Sequence, residues 1–287
     1  MMFDLRVEKT NGESLTLTQK EDIYQVIDIQ GLNPPKAQVN ITPLANIDGG
    51  QFNSAKLDTR NIVVTVRING DAERNRIALY DFFPTKTKVK LFYKNDTRDI
   101  FAEGIVESVE CTAFTQSEVC QISIVCPDSY LHGVEEIVVD ISDALAMFEF
   151  PFFINQNEPV PFSEYANHRE INVRNESNAE TGVEVQLDFM ASVNTVEIKN
   201  VETGEYIKLS GSYQDADRII ITTGKGEKKV RLIRNGVETN IFAQLVKGST
   251  FFQLYPGDNI FSYLADNGAS NDKVFILFSF RERYRGV

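Results

Sequence analysis

The sequence contains few of the side chains that carry most enzymatic and metal chemistry. Its 287 residues include two histidines, three cysteines and no tryptophan. Three cysteines cannot all pair with one another, and a chain of this length can bury a stable core without disulfides. This composition argues against a disulfide-dense secreted protein and leaves few candidates for a catalytic nucleophile or a zinc site.

The sequence also lacks the segments that direct a chain to or across a membrane. The start, MMFDLRVEKTNGE, has no basic stretch followed by an apolar run, so we expect no signal peptide. No apolar stretch approaches the roughly 20 residues of a spanning helix. The densest run, Met147 to Ile154, is broken by Glu149 and Pro151. We therefore expect a product made in the cytosol, with no membrane partner.

Basic residues are too few for a nucleic-acid interface. The net charge is −12 and the pI is near 4.8. Residues 1–130 hold 14 basic and 18 acidic residues, and residues 131–287 hold 15 and 23. Neither half has the basic excess that favours binding to a phosphate backbone. We expect nucleic acid to be repelled, with no specific binding.

Alternation of apolar and polar residues dominates the first half and predicts strands. FDLRVEKTNGESLTL alternates on both sides of Asn11-Gly12, a strong hairpin signal. IVVTVRI, KVKLFYK, IFAEGIVESVECTAF and EVCQISIVC also indicate strands. The one convincing helix is Ala72 to Phe83, with Asp71 as its N-cap and Pro84 after its end. Its broad apolar stripe includes Ile77, Leu79, Tyr80, Phe82 and Phe83, and should pack on a sheet.

A long segment rich in Gly, Pro and Asn, Gly31 to Asn61, interrupts these strands. We predict a loop with at most one strand, around Ala37 to Thr42. A loop of this length in a compact domain usually has a function, such as reaching a neighbouring molecule.

The second half has a different texture. Residues 131–170 are acidic, aromatic and interrupted by prolines, as in a connector. From Ile171 onward short strands recur, with turns at Thr203-Gly204, Gly224-Lys225-Gly226 and Asn235-Gly236. Regular short strands without helices predict a β-sandwich or jelly roll.

The stretch CPDSYLHG concentrates reactive side chains but reads as a strand end. Cys120 and Cys126 alternate on one face of EVCQISIVC, roughly 20 Å apart, which is too far to share one zinc ion. Cys126 lacks an oriented imidazole, since neither His132 nor His168 is placed by the pattern. We expect a buried thiol ahead of the strand-ending Pro127. A Cys111–Cys120 bridge across a turn at Thr115-Gln116 stays open, but the rarity of cytosolic disulfides favours free thiols.

Other chemical signals are weaker. TGKGEKK lacks the spacing of a phosphate-binding loop and joins two strands, so we interpret it as a hairpin turn. The aromatic cluster Met147 to Phe153 suits burial better than stacking on sugars. We predict no catalytic, cofactor-binding or metal-binding residues, and no enzyme.

Several short sequence segments follow one another in a specific order along nearly the whole chain. The first half contains Gly31-Leu32-Asn33-Pro34-Pro35, Gly49 to Arg60 leading into IVVTVRING, the helix with Leu79-Tyr80-Phe82-Phe83, KVKLFY, IVESVE and QISIVCPDSY. The second half contains NVETGEYIKL, FQLYPGDN and the terminal ERYRGV. Each piece is common, but together their order and spacing resemble the distal tail protein family of long, flexible-tailed (siphovirus-type) bacteriophages.

The resemblance implies a mainly β protein: an N-terminal split β-barrel with one helix, and a C-terminal galectin-like or jelly-roll β-sandwich. It assigns residues 1–130 to a ring-forming tail-hub domain, 131–170 to a connector and 171–287 to a peripheral sandwich. Six copies would form a ring with a channel for DNA, contacting the tail tube protein, the tail-tip hub protein and receptor-binding or baseplate proteins. The protein would be made in the host cytoplasm and located at the virion tail tip. A prophage could also encode such a protein.

Two functions therefore compete. One is a hexameric structural adaptor of the phage tail. The other is a β-sandwich carbohydrate-binding or adhesion protein that recognises a host-surface glycan itself. Sugar-binding sandwiches usually present an exposed Trp or paired aromatics, and the absence of Trp favours the adaptor.

Overall fold

The computed structural model describes residues 3–20, 22–45, 48–112, 118–141, 144–146, 163–165 and 170–287. The chain divides into two compact units. Unit 1 comprises Met1–Glu135 and Arg283–Val287, and unit 2 comprises Glu136–Glu282. In sequence, unit 2 is therefore an insertion in unit 1. These bounds differ from the predicted segments 1–130, 131–170 and 171–287, most notably because the last five residues belong to unit 1.

The described residues form one α-helix and 23 strands. In chain order they are β1 (Asp4–Lys9), β2 (Ser14–Leu17), β3 (Tyr24–Gln30), β4 (Ala37–Pro43), β5 (Gly50–Leu57), β6 (Arg60–Ile68), α1 (Ala72–Phe82), β7 (Lys88–Lys94), β8 (Asp99–Cys111), β9 (Val119–Cys126), β10 (Leu131–Gly133), β11 (Ile137–Asp140), β12 (Ala144–Ala146), β13 (Ser163–Tyr165), β14 (Ile171–Asn172), β15 (Glu184–Phe189), β16 (Val193–Asn200), β17 (Tyr206–Tyr213), β18 (Arg218–Thr222), β19 (Lys229–Arg234), β20 (Val237–Asn240), β21 (Ile260–Ala265), β22 (Val274–Phe280) and β23 (Arg283–Tyr284). Short 3-10 turns occur at Phe242–Gln244, Asp266–Gly268 and Asn271–Lys273.

Unit 1 is built on one antiparallel sheet that curls towards closure. Its strands lie in the order β2-β1-β7-β8-β9-β6-β3, and β10 pairs with both β8 and β23. The edge strands β2 and β3 approach at a single bridge between Thr18 and Gln25, where the Val26 amide donates to the Thr18 carbonyl at 2.7 Å. Because the ladder is not continuous there, the sheet is an open, split barrel and not a closed one.

Helix α1 has its predicted N-cap, but it packs through a narrower face than predicted. The Asp71 carboxylate accepts a hydrogen bond from a backbone N–H of the first turn. Ile77 and Tyr80 are exposed, which corrects the expectation that the whole stripe packs on the sheet. The residues near its C-terminal end that enter the core of unit 1 are Leu79, Phe82 and Phe83.

The Gly31–Asn61 segment is a β-hairpin, which corrects the prediction of a loop with at most one strand. Strand β4 lies where one was expected, and it pairs along its whole length with β5, which the sequence analysis missed. A bulge between Asn40 and Ile41 shifts the register by one residue. Gly and Asn in β5 hid the strand because both residues are depleted in strands generally.

Unit 2 is a two-sheet sandwich. One sheet has the order β11-β22-β15-β18-β19-β20, and the other has β14-β21-β16-β17. The core between them takes residues from both sheets, among them Leu187 and Ile219 from the first and Ile198 and Phe261 from the second. The predicted turns after Asn200, Thr222 and Arg234 each connect paired strands. The mainly β class with a C-terminal sandwich is confirmed.

The predicted connector contributes strands to both units. Strand β10 lies in unit 1, whereas β11 pairs with β22 at the edge of the larger sheet of unit 2. Strands β12 and β13 pair with each other. The predicted aromatic cluster Met147–Phe153, the turn at Thr115-Gln116 and His168 lie outside the described residues.

Cys111 and Cys120 form a disulfide, which corrects the expectation of free thiols. Strands β8 and β9 place these residues directly opposite each other, with Cα atoms 4.0 Å apart. The Thr112 amide donates to the Val119 carbonyl, so the adjacent cysteine pair occupies a non-hydrogen-bonded position, where side chains on neighbouring strands approach most closely. Strand register therefore outweighs the general rarity of cytosolic disulfides.

Candidate functional site: the hairpin arm and its anchor

The candidate nucleophile of the sequence, Cys126, lies in an apolar environment that disfavours its thiolate. Cys126 ends β9 and is buried, as predicted, and burial raises the pKa of its thiol to about 11 despite the nearby charge of Arg60. A thiol with so high a pKa is a poor nucleophile. Within the described residues, no group of three or more His, Cys, Asp or Glu side chains could hold a metal ion. No helix in that part of the chain is long and apolar enough to cross a membrane.

The most distinctive surface is the hairpin of strands β4 and β5, which we call the arm. Every residue of its two strands is at least partly exposed. The register pairs Ala37 with Leu57, Val39 with Ala55 and Ile41 with Phe52, and residues that alternate along a strand share a face. The arm is therefore amphipathic, with one face made of these apolar side chains.

The apolar face of the arm is large for an exposed surface. Phe52 is 63% exposed, Ile41 55% and Val39 53%. The opposite face is polar: Gln38 donates to Asp58 at 3.0 Å and Asn53 donates to Thr42 at 2.6 Å. Contiguous exposed apolar groups with polar surroundings mark interaction sites in soluble proteins.

The base of the arm is held by one buried arginine. Arg60, the first residue of β6 after the arm, is 3% exposed and makes five hydrogen bonds, all to backbone carbonyls. Its Nε and Nη2 donate to Ser129 at 3.0 and 2.8 Å, and Nη1 donates to Asn33 at 2.9 Å and to Gly31. Nη2 also donates to the Arg285 carbonyl at 2.7 Å. Burial lowers the pKa of Arg60, but a guanidinium remains charged at neutral pH.

The last five residues, the 283–287 segment, are part of unit 1. Tyr284 pairs with Leu131, is buried in the core, and lies under the Arg98 guanidinium at 4.1 Å. The Arg283 guanidinium donates two hydrogen bonds to Asp128, both of 2.9 Å. A two-residue strand is thus held by pairing, burial and an ion pair.

Asp128 joins this segment to the CPDSYLHG stretch. His132 Nε2 lies 3.0 Å from the Asp128 carboxylate, and the His132 ring stacks on Phe101. Burial alone would raise the pKa of Asp128, but hydrogen bonds from His132 and the Tyr130 amide, together with the charge of Arg283, lower it to about 2. The expectation that nothing orients His132 is therefore wrong. Strand β9 does end at Cys126, but the residues that follow remain in unit 1.

A second surface feature crosses the outer face of the unit 1 sheet. Strand pairing aligns the side chains of a single row in the order Arg6, Phe92, Phe101, His132 and Arg283. The Arg6 guanidinium lies 4.3 Å from the Phe92 ring centroid. Cations next to aromatic rings stabilise each other and cover apolar surface on a solvent-facing sheet. We interpret this row as structural.

Comparisons with known proteins agree on one family. Residues 176–284 match the family described as the siphovirus-type tail component, C-terminal domain. The fold matches the crystal structure of the SPP1 Dit protein with a TM-score of 0.69 at 15% identity, over 99% of each chain. The resemblance to siphovirus distal tail proteins is confirmed.

Two further solved structures support the same fold. They are chains of the phage P2 baseplate in its activated conformation, with Ca (TM-score 0.52, 13% identity, 100% of each chain) and with Sr (TM-score 0.50, 11% identity, 97% and 98%). The SPP1 Dit protein is described as a paradigm of the hub adsorption apparatus in phages that infect Gram-positive bacteria. No curated protein matches the chain by sequence. The neighbours are structural components of phage tails and baseplates.

Proposed function

We propose that this chain is a structural virion protein that forms a ring of six copies at the distal end of a siphovirus-type tail. The ring joins the tail tube protein, the tail-tip hub protein and receptor-binding or baseplate proteins, and leaves a channel for DNA. The protein is made in the host cytoplasm and resides at the tail tip. The observation that carries the proposal is the amphipathic arm of unit 1.

The arm supports ring assembly on energetic grounds. An isolated two-stranded hairpin is only marginally stable in water, so an apolar face of this size needs a partner. Covering the exposed parts of Val39, Ile41 and Phe52 contributes roughly 1 kcal/mol each, or about 3 kcal/mol for each contact between copies. A head-to-tail contact of this kind closes into a ring when its rotation divides a circle.

Charge supports the channel. A conduit for DNA must not hold it, and the net charge of −12 gives no basic excess that could bind the phosphate backbone. In this proposal unit 1 builds the ring and unit 2 is the peripheral domain that carries further tail proteins.

The test compares two paired substitutions of exposed apolar residues. Ile41→Ser/Phe52→Ser removes the centre of the arm's apolar face, whereas Met190→Ser/Val237→Ser removes side chains of similar exposure from unit 2. Mass photometry of the wild type, alone and with the tube protein, should show hexamers or a monomer–hexamer equilibrium. We expect the arm variant to lose the hexamer and the unit 2 variant to keep it. A wild type that stays monomeric with the tube protein present, or an arm variant that assembles normally, contradicts the proposal.

One observation favours the alternative of glycan recognition by unit 2. Phe242 is 47% exposed and stacks on Phe251 at 5.7 Å, with the Lys228 ammonium 5.3 Å from the Phe251 ring. Exposed aromatic faces stack on sugar rings. Binding of the protein to purified host cell wall, lost in Phe242→Ala and kept in the similarly exposed Tyr255→Ala, would establish this second function. Equal binding by both variants would exclude this site.

A further inference from the structure

The two ends of the arm meet at the side chain of Arg60, which lies on the returning end and contacts the outgoing one. The outgoing path runs from the end of β3 through Gly31 and Asn33, and the returning path leads from β5 into Arg60. Because Arg60 donates to the carbonyls of both Gly31 and Asn33, its guanidinium ties the outgoing path to the returning one. The base is also closed by the Asp58 amide, which donates to the Lys36 carbonyl at 3.0 Å.

The 283–287 segment lies against the same base. The Arg285 carbonyl accepts a hydrogen bond from Arg60, and the Val287 amide donates to the Leu32 carbonyl at 3.2 Å. Gly286 packs so closely that a Cβ there would lie 3.0 Å from both the Leu32 carbonyl oxygen and the Pro34 ring. A segment that follows unit 2 in the sequence therefore supports the root of the arm.

Ser129 links the Arg60 guanidinium to the end of the arm near Asp58. Its carbonyl accepts two hydrogen bonds from Arg60, and its hydroxyl donates to the Asp58 carbonyl at 2.5 Å, next to the end of β5. Four carbonyls from three separate parts of unit 1 thus converge on one guanidinium. Only a planar group with five donors can serve them all, and a lysine ammonium cannot span the same set.

We propose that Arg60 and the 283–287 segment form an anchor that fixes the position of the arm on unit 1. Arg60 is a positioning residue: it does not reach the apolar face, but it holds the base from which that face is presented. The consequence for assembly rests on the proposed ring. The positioning itself is a property of the single chain.

The anchor also means that the arm of unit 1 depends on residues that come after unit 2 in the sequence. Strand β23 and the residues after it complete the anchor, although unit 2 separates them from the rest of unit 1. A fragment that stops at Glu135 lacks the Arg285 carbonyl and the Val287 amide. Its arm is therefore expected to lose its fixed position even where the sheet of unit 1 forms.

The experiment measures the arm in the full-length chain, in dilute samples where the protein is monomeric. Hydrogen–deuterium exchange followed by mass spectrometry reports the opening of β4 and β5, and the unit 2 hairpin of β16 and β17 serves as an internal reference. The variants are Arg60→Lys and Gly286→Val. Arg60→Lys keeps the positive charge but removes the planar guanidinium with its five donors, and Gly286→Val pushes the 283–287 segment away from Leu32 and Pro34. Arg67→Lys, on an exposed position of β6, is the matched control.

We expect exchange in the arm to accelerate at least tenfold in Arg60→Lys and in Gly286→Val, with no change in Arg67→Lys or in the reference hairpin. If Arg60→Lys fails to fold, Gly286→Val alone decides. Unchanged arm exchange in the folded variants overturns the proposal, whether or not the wild type assembles. Accelerated exchange in a protein whose wild type never assembles supports the anchor and contradicts the ring.

Discussion

Removal of the Cys111–Cys120 disulfide should measurably destabilise unit 1. The bridge spans a sequence separation of nine residues. Closing a loop of that length in the unfolded chain lowers its entropy by an amount worth about 2.6 kcal/mol at 25 °C. For a unit of about 140 residues, this corresponds to a fall in melting temperature of roughly 10 °C.

The assay compares the wild type and Cys111→Ala/Cys120→Ala by thermal unfolding with and without reductant. Reductant should lower the melting temperature of the wild type and leave that of the double variant unchanged. Cys126→Ala, which removes a buried thiol outside the bridge, should lose some stability through its cavity but should still respond to reductant. Thiol titration of denatured, unreduced wild type should find one free thiol of the three.

Two results would refute this reasoning. Three titratable thiols in the unreduced wild type would mean that the bridge does not form. A bridge that is present, but whose reduction leaves the melting temperature unchanged, would mean that the lowered entropy of the unfolded chain does not stabilise unit 1 by the expected amount. In either case the stability of unit 1 rests on its core and its ladder alone.

Three further predictions concern single residues. Gly31 has φ +88°, and a Cβ there would lie 1.9 Å from the Asn61 carbonyl oxygen, so Gly31→Ala should lower the free energy of unfolding by roughly 3 kcal/mol in chemical denaturation. Gly12 has a similar φ of +86° but open space around it, so Gly12→Ala should lower the free energy of unfolding by only about 1 kcal/mol. Because the pKa of Asp128 in the folded state lies below its ordinary value of 3.8, its ionised carboxylate stabilises the fold above pH 4, and this stabilisation is lost as the pH falls towards 2. After allowance for solvent screening, Asp128→Asn should remove roughly 1 kcal/mol of this pH-dependent stability. Gly182→Ala places a Cβ 2.5 Å from the Gly224 Cα and should lower the melting temperature of unit 2, and a variant as stable as the wild type would show that this backbone contact relaxes freely.

The local features of the fold followed from the sequence because their causes are local. Alternation with a period of two indicates a strand whatever it packs against, and Asn11-Gly12 and Asn235-Gly236 specify turns through their own backbone preferences. Asp71 predicted the start of the helix, because an N-cap bonds within its own first turn. The acidic composition, obtained by counting alone, argues against a nucleic-acid interface, and that expectation stays a prediction.

The features that distinguish the candidate site depend on contacts between distant parts of the chain. Cys111 faces Cys120 because of the register of two strands, and alternation fixes faces but not register. The arm appeared as a loop because its two strands pair only with each other, so neither is buried on a core and the usual strand composition is absent. Arg60 carries no local signal: its partners lie as far as 225 residues away in sequence.

By itself, the sequence determined the β class, most turns, the helix, the charge and the order of landmarks that points to the distal tail family. The tertiary structure alone decided that the 283–287 segment returns to unit 1, that the Gly31–Asn61 segment contains an amphipathic hairpin, and that Arg60 donates hydrogen bonds to carbonyls at the base of that hairpin. The physical reason is that a residue's conformational preference is short-ranged, whereas burial, register and the convergence of carbonyls on one guanidinium exist only after distant segments have packed together.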